Sequence, residues 1–433
     1  MSSIILSFVG NQDPFSDNTE QEGSIVTLVK HLLAQNFTIK HVFLLHTTDM
    51  IDRAELTQGW LGDAPLQLPQ EAIALLPVDP ALSADPVNVP LATQAAQLGL
   101  AEAMACRSEE DWIEFNASSG TPVMKSTWSI LQAAGYAPQS RIWQVRNPKE
   151  MGPNQARVFQ ANVDGLRRQF DVAVAKRQIN DYNYTGALAS LTAAGIVGNG
   201  DRLTALLLYG HCRLAFDFNR AHQALSQVMT IALPPSEDAD EAITTWQQQL
   251  GALRQRQDRA LVMELYHNAR IKLKNQEYAD FLVRLSSFQE KLWAILGQQK
   301  LGFPFPAKYA DIDGFWLDVC QIDGGKLGKA LAQAKFKGTP LKLEGFVNRP
   351  KAIAILEYFP DPKEIVPLLK NLSDIYDQRN RNVHGLEGVS SLPDGDRILT
   401  TMRTLLKRAI ASPPVCPFDS LNQEILERLE VNL

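Results

Sequence analysis

Over its first 150 residues the chain alternates short apolar runs with helical stretches, and no other feature narrows the fold as far. Ile4 to Val9 is a mainly apolar run that ends at Gly10, and Gly23 to Gln35 follows with helical spacing. His41 to His46 (HVFLLH) reads as a second strand and Glu71 to Val78 (EAIALLPV) as a third. Leu91 to Cys106 is an Ala/Leu-rich helix, Asp111 to Asn116 (DWIEFN) a fourth strand, Pro122 to Ala134 a helix and Arg141 to Val145 a fifth strand. Apolar runs of this length between helices predict a mainly parallel sheet covered on both faces, a Rossmann-like domain.

Beyond Pro148-Lys149-Glu150-Met151-Gly152-Pro153 the strand signal gives way to Ala, Leu, Arg and Gln at 3.6-residue spacing. Helices are expected over Gln160 to Arg177, Asp201 to Phe216, Asp258 to Leu273, Tyr278 to Leu296, Lys363 to Asp377 and Asp394 to Ala411. The acidic stretch Ser236 to Glu241 reads as a loop between helical subregions. The expected fold class is α/β plus all-α. Residues 1–150 form the α/β domain, 151–255 a helical connecting region and 256–433 a second helical domain.

A formal charge of -6 argues against a chain that coats nucleic acid non-specifically, yet leaves room for one local RNA-cutting site. Cys106, Cys212, Cys320 and Cys416 lie far apart with no CxxC pair, so neither a zinc site nor a disulfide framework is expected. The N-terminus lacks the basic and apolar regions of a signal peptide, and no apolar run approaches a membrane span, so the expected compartment is the cytoplasm.

Ligands of open parallel sheets bind beyond the carboxyl ends of the strands, where the strand order reverses. Gly10-Asn11-Gln12-Asp13-Pro14 follows the first strand, Thr47-Thr48-Asp49 the second and Ala117-Ser118-Ser119-Gly120-Thr121 the fourth. The last offers hydroxyls and a glycine just before a helix opened by Pro122, with Lys125 a turn further on. Such a helix start suits a phosphate, and the same residues suit ordinary capping. The spacing Gly10-x-x-Asp13-Pro14 is not GxGxxG, which disfavours a dinucleotide-dependent dehydrogenase. Gly324-Gly325-Lys326-Leu327-Gly328-Lys329-Ala330 is not a P-loop, because Ala follows its Gly-Lys.

The second constellation is Arg379-Asn380-Arg381-Asn382-Val383-His384-Gly385. Arginine can neutralise a scissile phosphate and histidine can move a proton near neutral pH, which together supply metal-free RNA cleavage. Five residues along a regular helix separate Arg379 from His384 by roughly 140°. They converge if the helix ends at His384 with Gly385 as its C′ residue, or if two copies meet across a dimer. Equally, His384 suits the end of a helix dipole and Arg379 suits pairing with Asp374 or Asp377. His211, His222 and His267 stand singly in helical segments and read as packed or surface residues. Trp293, Phe315 and Trp316 read as core.

Together these stretches resemble CARF–HEPN ribonucleases of type III CRISPR systems over nearly the whole chain. Asn116-Ala117-Ser118-Ser119-Gly120-Thr121, followed by Met124, is similar to that family's ligand-binding turn, usually Thr/Ser-Gly-Gly-Thr-Lys. Here Ser119 replaces the first glycine and Pro122 stands where lysine is frequent, with Lys125 nearby. Glu264-Leu265-Tyr266-His267-Asn268-Ala269, then Tyr278-Ala279-Asp280 and Arg284-Leu285, is similar to a helix pair in one branch of the family. Arg379-Asn380 with His384 matches its Arg-x4–6-His pattern at the short end.

The resemblance implies a homodimer in which two CARF domains form one pocket for a cyclic oligoadenylate and two HEPN motifs face each other across single-stranded RNA. The implied pocket residues are Gly10, Asn11, Gln12, Asp13, Thr47, Thr48, Ser118, Ser119, Gly120, Thr121 and Lys125. The implied catalytic residues are Arg379, which binds and stabilises the phosphate, His384, which acts as acid/base or orients the 2′-hydroxyl, and Asn380, which holds the motif or contacts phosphate. No cofactor, metal or membrane is expected; the expected activator is cyclic tetra-adenylate ahead of hexa-adenylate. Two alternatives fit the same residues: a CARF sensor whose HEPN domain only dimerises or docks a partner, and a toxin-like HEPN ribonuclease gated by another nucleotide.

Overall fold

The computed structural model describes residues 2–230, 237–305, 312–336, 338–360, 364–372, 388–411, 413 and 415–431. They form two compact units, Met1–Ala173 and Val174–Leu433.

The first unit is built on a six-stranded sheet. Its strands are β1 (Ser2–Phe8), β4 (Thr38–His46), β5 (Ile73–Pro77), β6 (Asp111–Asn116), β7 (Ser140–Val145) and β8 (Val158–Ala161), in the order β5-β4-β1-β6-β7-β8. All neighbours are parallel except β7 and β8, which are antiparallel. A two-residue pair, β2 (Phe15–Ser16) with β3 (Gln21–Glu22), stands apart from it. The helices are α1 (Ser24–Ala34), α2 (Ile51–Gly62), α3 (Pro80–Ala84), α4 (Val89–Ala105) and α5 (Pro122–Ala133).

Side chains alternate across a strand, so the mainly apolar run of β1 splits between two cores. Ile4, Leu6 and Phe8 pack with Phe115, Trp128 and the small residues Ala92 and Ala96 of α4. Ile5 and Val9 pack on the other face with Val26, Val29 and Leu32 of α1. The sheet is therefore sandwiched between helices. The chain lays β4 and β5 on one side of β1 and then β6, β7 and β8 on the other. The order reverses between β1 and β6, and this opens a crevice at their carboxyl ends.

The second unit is mostly helical. Helix α6 (Asp164–Asn180) crosses the division, followed by α7 (Tyr184–Ala193), α8 (Arg202–Leu214), α9 (Phe218–Thr230), α10 (Glu237–Arg254), α11 (Asp258–Lys274) and α12 (Tyr278–Leu301). Next come α13 (Ile312–Gln321), α14 (Lys326–Gln333), a two-residue strand pair β9 (Lys335–Phe336) and β10 (Thr339–Pro340), and α15 (Arg349–Tyr358). Helical residues 365–372 (α16), α17 (Gly395–Ala409) and α18 (Pro417–Val431) complete the described part. Helix α11 buries Leu261, Val262, Leu265, Tyr266 and Ala269 together with Glu264, His267 and Asn268, so it lies inside the bundle. Trp293, Phe315 and Trp316 are buried, as their apolar spacing leads one to expect.

Three sequence expectations are corrected here. Residues 160 and 161, expected at the start of a helix, belong to β8, and the helix begins at Asp164. That edge strand also carries the α/β unit past residue 150 to Ala173. The acidic stretch expected as a loop is helical from Glu237, where carboxylates suit the positive end of the helix dipole.

A charge pair sits inside the helical unit. Arg213 of α8 grips Glu264 of α11 through Nε and a terminal nitrogen, both at 2.8 Å, and donates to the Tyr209 hydroxyl at 2.6 Å and to Gln249 at 3.0 Å. Burial alone would loosen the guanidinium proton, but the adjacent Glu264 and Tyr209 more than offset it and hold Arg213 above its ordinary range. Removing one member leaves the other charged and desolvated. Glu264→Ala is expected to destabilise this unit by about 3–5 kcal/mol in denaturant unfolding; a loss below about 1 kcal/mol would show the pair to be dispensable.

Candidate functional site

The turn after β1 and the turn after β6 meet at the crevice because their strands are hydrogen-bonded neighbours. Their contact is so close that a Cβ on Gly10 would sit 2.8 Å from the Gly120 nitrogen and 2.9 Å from Ser119 Oγ. Gly120 has φ of +91°, a conformation that disfavours any side chain.

Asp13 ties this end of the sheet together. Its carboxylate accepts from the backbone N–H of Gly10 at 3.1 Å and of Ile25 at 3.3 Å, and from the Ser119 hydroxyl. The Ile25 bond caps α1 from twelve residues upstream, a task that Gly23 at the N-cap cannot perform. A Cβ on Gly23 would also collide with the Gln12 carbonyl and the Asp13 carboxylate, at 2.4 and 2.5 Å. Burial pushes the Asp13 pKa up; the bonds from Ser119, Ile25 and Gly10 and the charge of Lys125 pull against it.

Around this clamp lies a cleft of about 490 Å³ lined by Gly10, Asn11, Gln12, Asp13, Thr47, Ser118, Ser119, Gly120, Thr121 and Lys125. Ten of the eleven pocket residues expected from sequence thus surround one cavity. Thr48 does not: its N–H and hydroxyl both bond to Ser83 Oγ of α3, at 2.9 and 3.2 Å. Ser24, at the start of α1, also lines the cleft and was not among the expected residues. Its hydroxyl accepts from Asn116 at 3.1 Å, a partner at the far end of β6 in sequence and so invisible to local pattern.

The hydroxyls of the β6 turn serve the fold. Ser118 Oγ accepts from the Val145 N–H at 2.7 Å, which ties the turn to β7. Ser119 binds Asp13. Thr121 caps α5 by accepting from the Met124 N–H at 3.3 Å and donates to the Pro86 carbonyl at 2.8 Å. Capping and ligand contact, alternatives in the sequence, therefore divide here between side chain and backbone. The hydroxyls hold the turn, and the turn and the half-buried Lys125 line the cleft.

In the helical unit, Asn268 donates to the Leu214 carbonyl at the end of α8 at 2.9 Å and accepts from Arg284 of α12 at 2.8 Å. The helix-pair residues singled out in the sequence thus join three helices and satisfy an orphan carbonyl. His211 is exposed, His222 half-buried and His267 buried. Arg379, Asn380 and His384, with their neighbours Asp374, Asp377 and Gly385, lie outside the described residues, in the chain between α16 and α17.

Residues 251–407 match the family model of the Cas_Csm6 HEPN domain. The whole chain superposes on Enterococcus italicus Csm6, solved bound to cyclic hexa-2'-fluoro-hexa-dAMP, with a TM-score of 0.58 and 15% identity over 100% of both chains. Over residues 251–407 the chain is therefore similar to the Csm6 HEPN domain, and its fold as a whole is that of Csm6. No curated protein matches it. Among the described residues no helix is long and apolar enough to cross a membrane.

The buried carboxylate of the α/β unit gives a pH test. Because its folded pKa is raised, Asp13 favours folding fully only below the ordinary value of 3.8, and that contribution is lost as pH rises through the raised value. The stability of the wild type relative to Asp13→Asn is expected to fall as pH rises above about 4 in denaturant titrations. A difference that grows with pH would contradict the burial of this carboxylate.

Proposed function

We propose that this protein is a ribonuclease switched on by a cyclic oligoadenylate: the cleft of the CARF unit senses the ring, and the HEPN unit cuts single-stranded RNA in antiviral defence. The observation that carries the reading is the match of residues 251–407 to the Csm6 HEPN domain, a span that includes Arg379, Asn380 and His384. The cleft at the β1/β6 switch point supports the sensing half, since it is lined by the turn that opens α5 and by Lys125, a setting suited to phosphate.

In the proposed reaction Arg379 neutralises the scissile phosphate and stabilises charge as the 2′-oxygen attacks. His384 takes or returns the proton, and Asn380 holds the motif. The products carry a 2′,3′-cyclic phosphate, and no metal takes part. Two chains form a homodimer, so that two clefts face one ring across a two-fold axis and two motifs meet over one strand. Activation is a shift in population toward the arrangement in which both motifs converge. Cyclic tetra-adenylate is the proposed activator, and the six-membered ring, the size bound by the Enterococcus protein, is the comparator.

The test is cleavage of a fluorescent single-stranded RNA in EDTA, first without activator and then with cyclic tri-, tetra- or hexa-adenylate. Cutting is expected with one ring only. Arg379→Ala and His384→Ala are each expected to lower it by about 10²–10⁴-fold while leaving dimer and ring binding intact. Full cleavage by either variant would remove the assignment of the motif. Absence of cutting with every ring, in a folded dimer, would favour a sensor whose HEPN unit only dimerises.

A further inference from the structure

A second cavity, of about 430 Å³, opens within the helical unit between α11, α17 and the start of α18. Tyr266, His267, Arg270, Thr400, Arg403 and Asp419 line it. Its size falls in the range of sites for small ligands. Arg270 is already engaged: it pairs with Asp419 at 2.5 Å, and that carboxylate also accepts from the Tyr182 hydroxyl at 2.6 Å. Arg403 is exposed and has no carboxylate at ion-pair distance among the described residues. Two guanidinium groups against one carboxylate leave the cavity positive.

His267 gives an independent sign of a missing partner. It is 3% exposed, and neither ring nitrogen has a hydrogen bond. Buried polar groups are ordinarily satisfied, so an imidazole with two unanswered nitrogens on a cavity wall marks a place for a polar ligand. Burial and the nearby charges of Arg270 and Arg213 push its pKa down to about 4, which keeps the ring neutral at physiological pH. Arg270 lines the cavity itself, so its positive field on His267 is one that an anion in the cavity would also meet.

We infer that this cavity holds one nucleotide of the RNA substrate, with its phosphate on Arg403 and its polar edge toward His267. The arginine fork matches a phosphodiester with two parallel hydrogen bonds, and a single strand can place one nucleotide in a recess of this size. This assignment rests on the reading of the helical unit as a ribonuclease. It adds a binding residue, Arg403, outside the Arg379–His384 motif.

The experiment uses the full-length protein with its activating ring present. Binding of a fluorescent 2′-O-methyl RNA strand, which lacks the attacking hydroxyl, is measured by anisotropy across a salt series. Cleavage kinetics of ordinary RNA are measured alongside, for wild type, Arg403→Ala and Arg403→Lys. Arg403→Ala is expected to raise both Kd and KM about tenfold, leave kcat within about twofold and lower the salt slope by about one. Arg403→Lys is expected to restore the slope. Unchanged Kd, KM and slope in Arg403→Ala, with a wild type that binds and cuts, would overturn this assignment alone. A wild type that neither binds nor cuts RNA would overturn the ribonuclease reading and this assignment with it.

Discussion

The buried carboxylate of Asp13 holds the crevice end of the sheet together. It stops the turn after β1, caps the start of α1 and grips Ser119 in the turn after β6. These three segments come from distant parts of the chain and would otherwise be separate loops. Keeping a carboxylate dry is costly, and here it is sustained by three donors and the nearby Lys125. The same clamp forces glycine at positions 10 and 23, because any side chain there meets the neighbouring loop or the carboxylate itself. The cleft lies around the clamp: the hydroxyls of Ser118, Ser119 and Thr121 hold the turns, and Lys125 lines the cleft beside them.

The helical unit uses the same device at a different scale. Arg213 and Glu264 form a buried pair that joins α8 to α11, and Asn268 joins α11 to α8 and α12. Charges and amides at the centre of a bundle specify which helices meet, because each needs its particular partner at hydrogen-bond distance. A frame fixed in this way can pass a change between its faces as one of discrete arrangements, as the proposed activation requires.

Much of this was visible in the sequence where one period or one turn decides the structure. The five parallel strands stand out because burial on both faces leaves mainly apolar runs such as Ile4–Val9. Strand β8 was hidden. It lies at the sheet edge, where a partly exposed strand keeps no continuous apolar run and reads like the helix that follows it. The start of α10 was hidden for a different reason: carboxylates favoured at a helix N-terminus have the composition of a loop. At the cleft, residues following the strand ends were legible from topology, but the direction of their hydroxyls was not. Ser118 binding to Val145 and Thr48 binding to Ser83 are contacts between segments far apart in the chain, and no local pattern encodes them.

The central claim is that ring binding at the cleft and cutting in the helical unit are one linked equilibrium. It is tested most directly with Lys125→Ala, by measuring ring affinity and the ring concentration for half-maximal RNA cutting on the same samples. Loss of one charge-assisted phosphate contact is expected to weaken ring binding about tenfold. If the two events are linked, the half-activating concentration rises by the same factor and the rate at saturating ring is unchanged. Weakened ring binding with an unmoved activation midpoint would contradict the linkage.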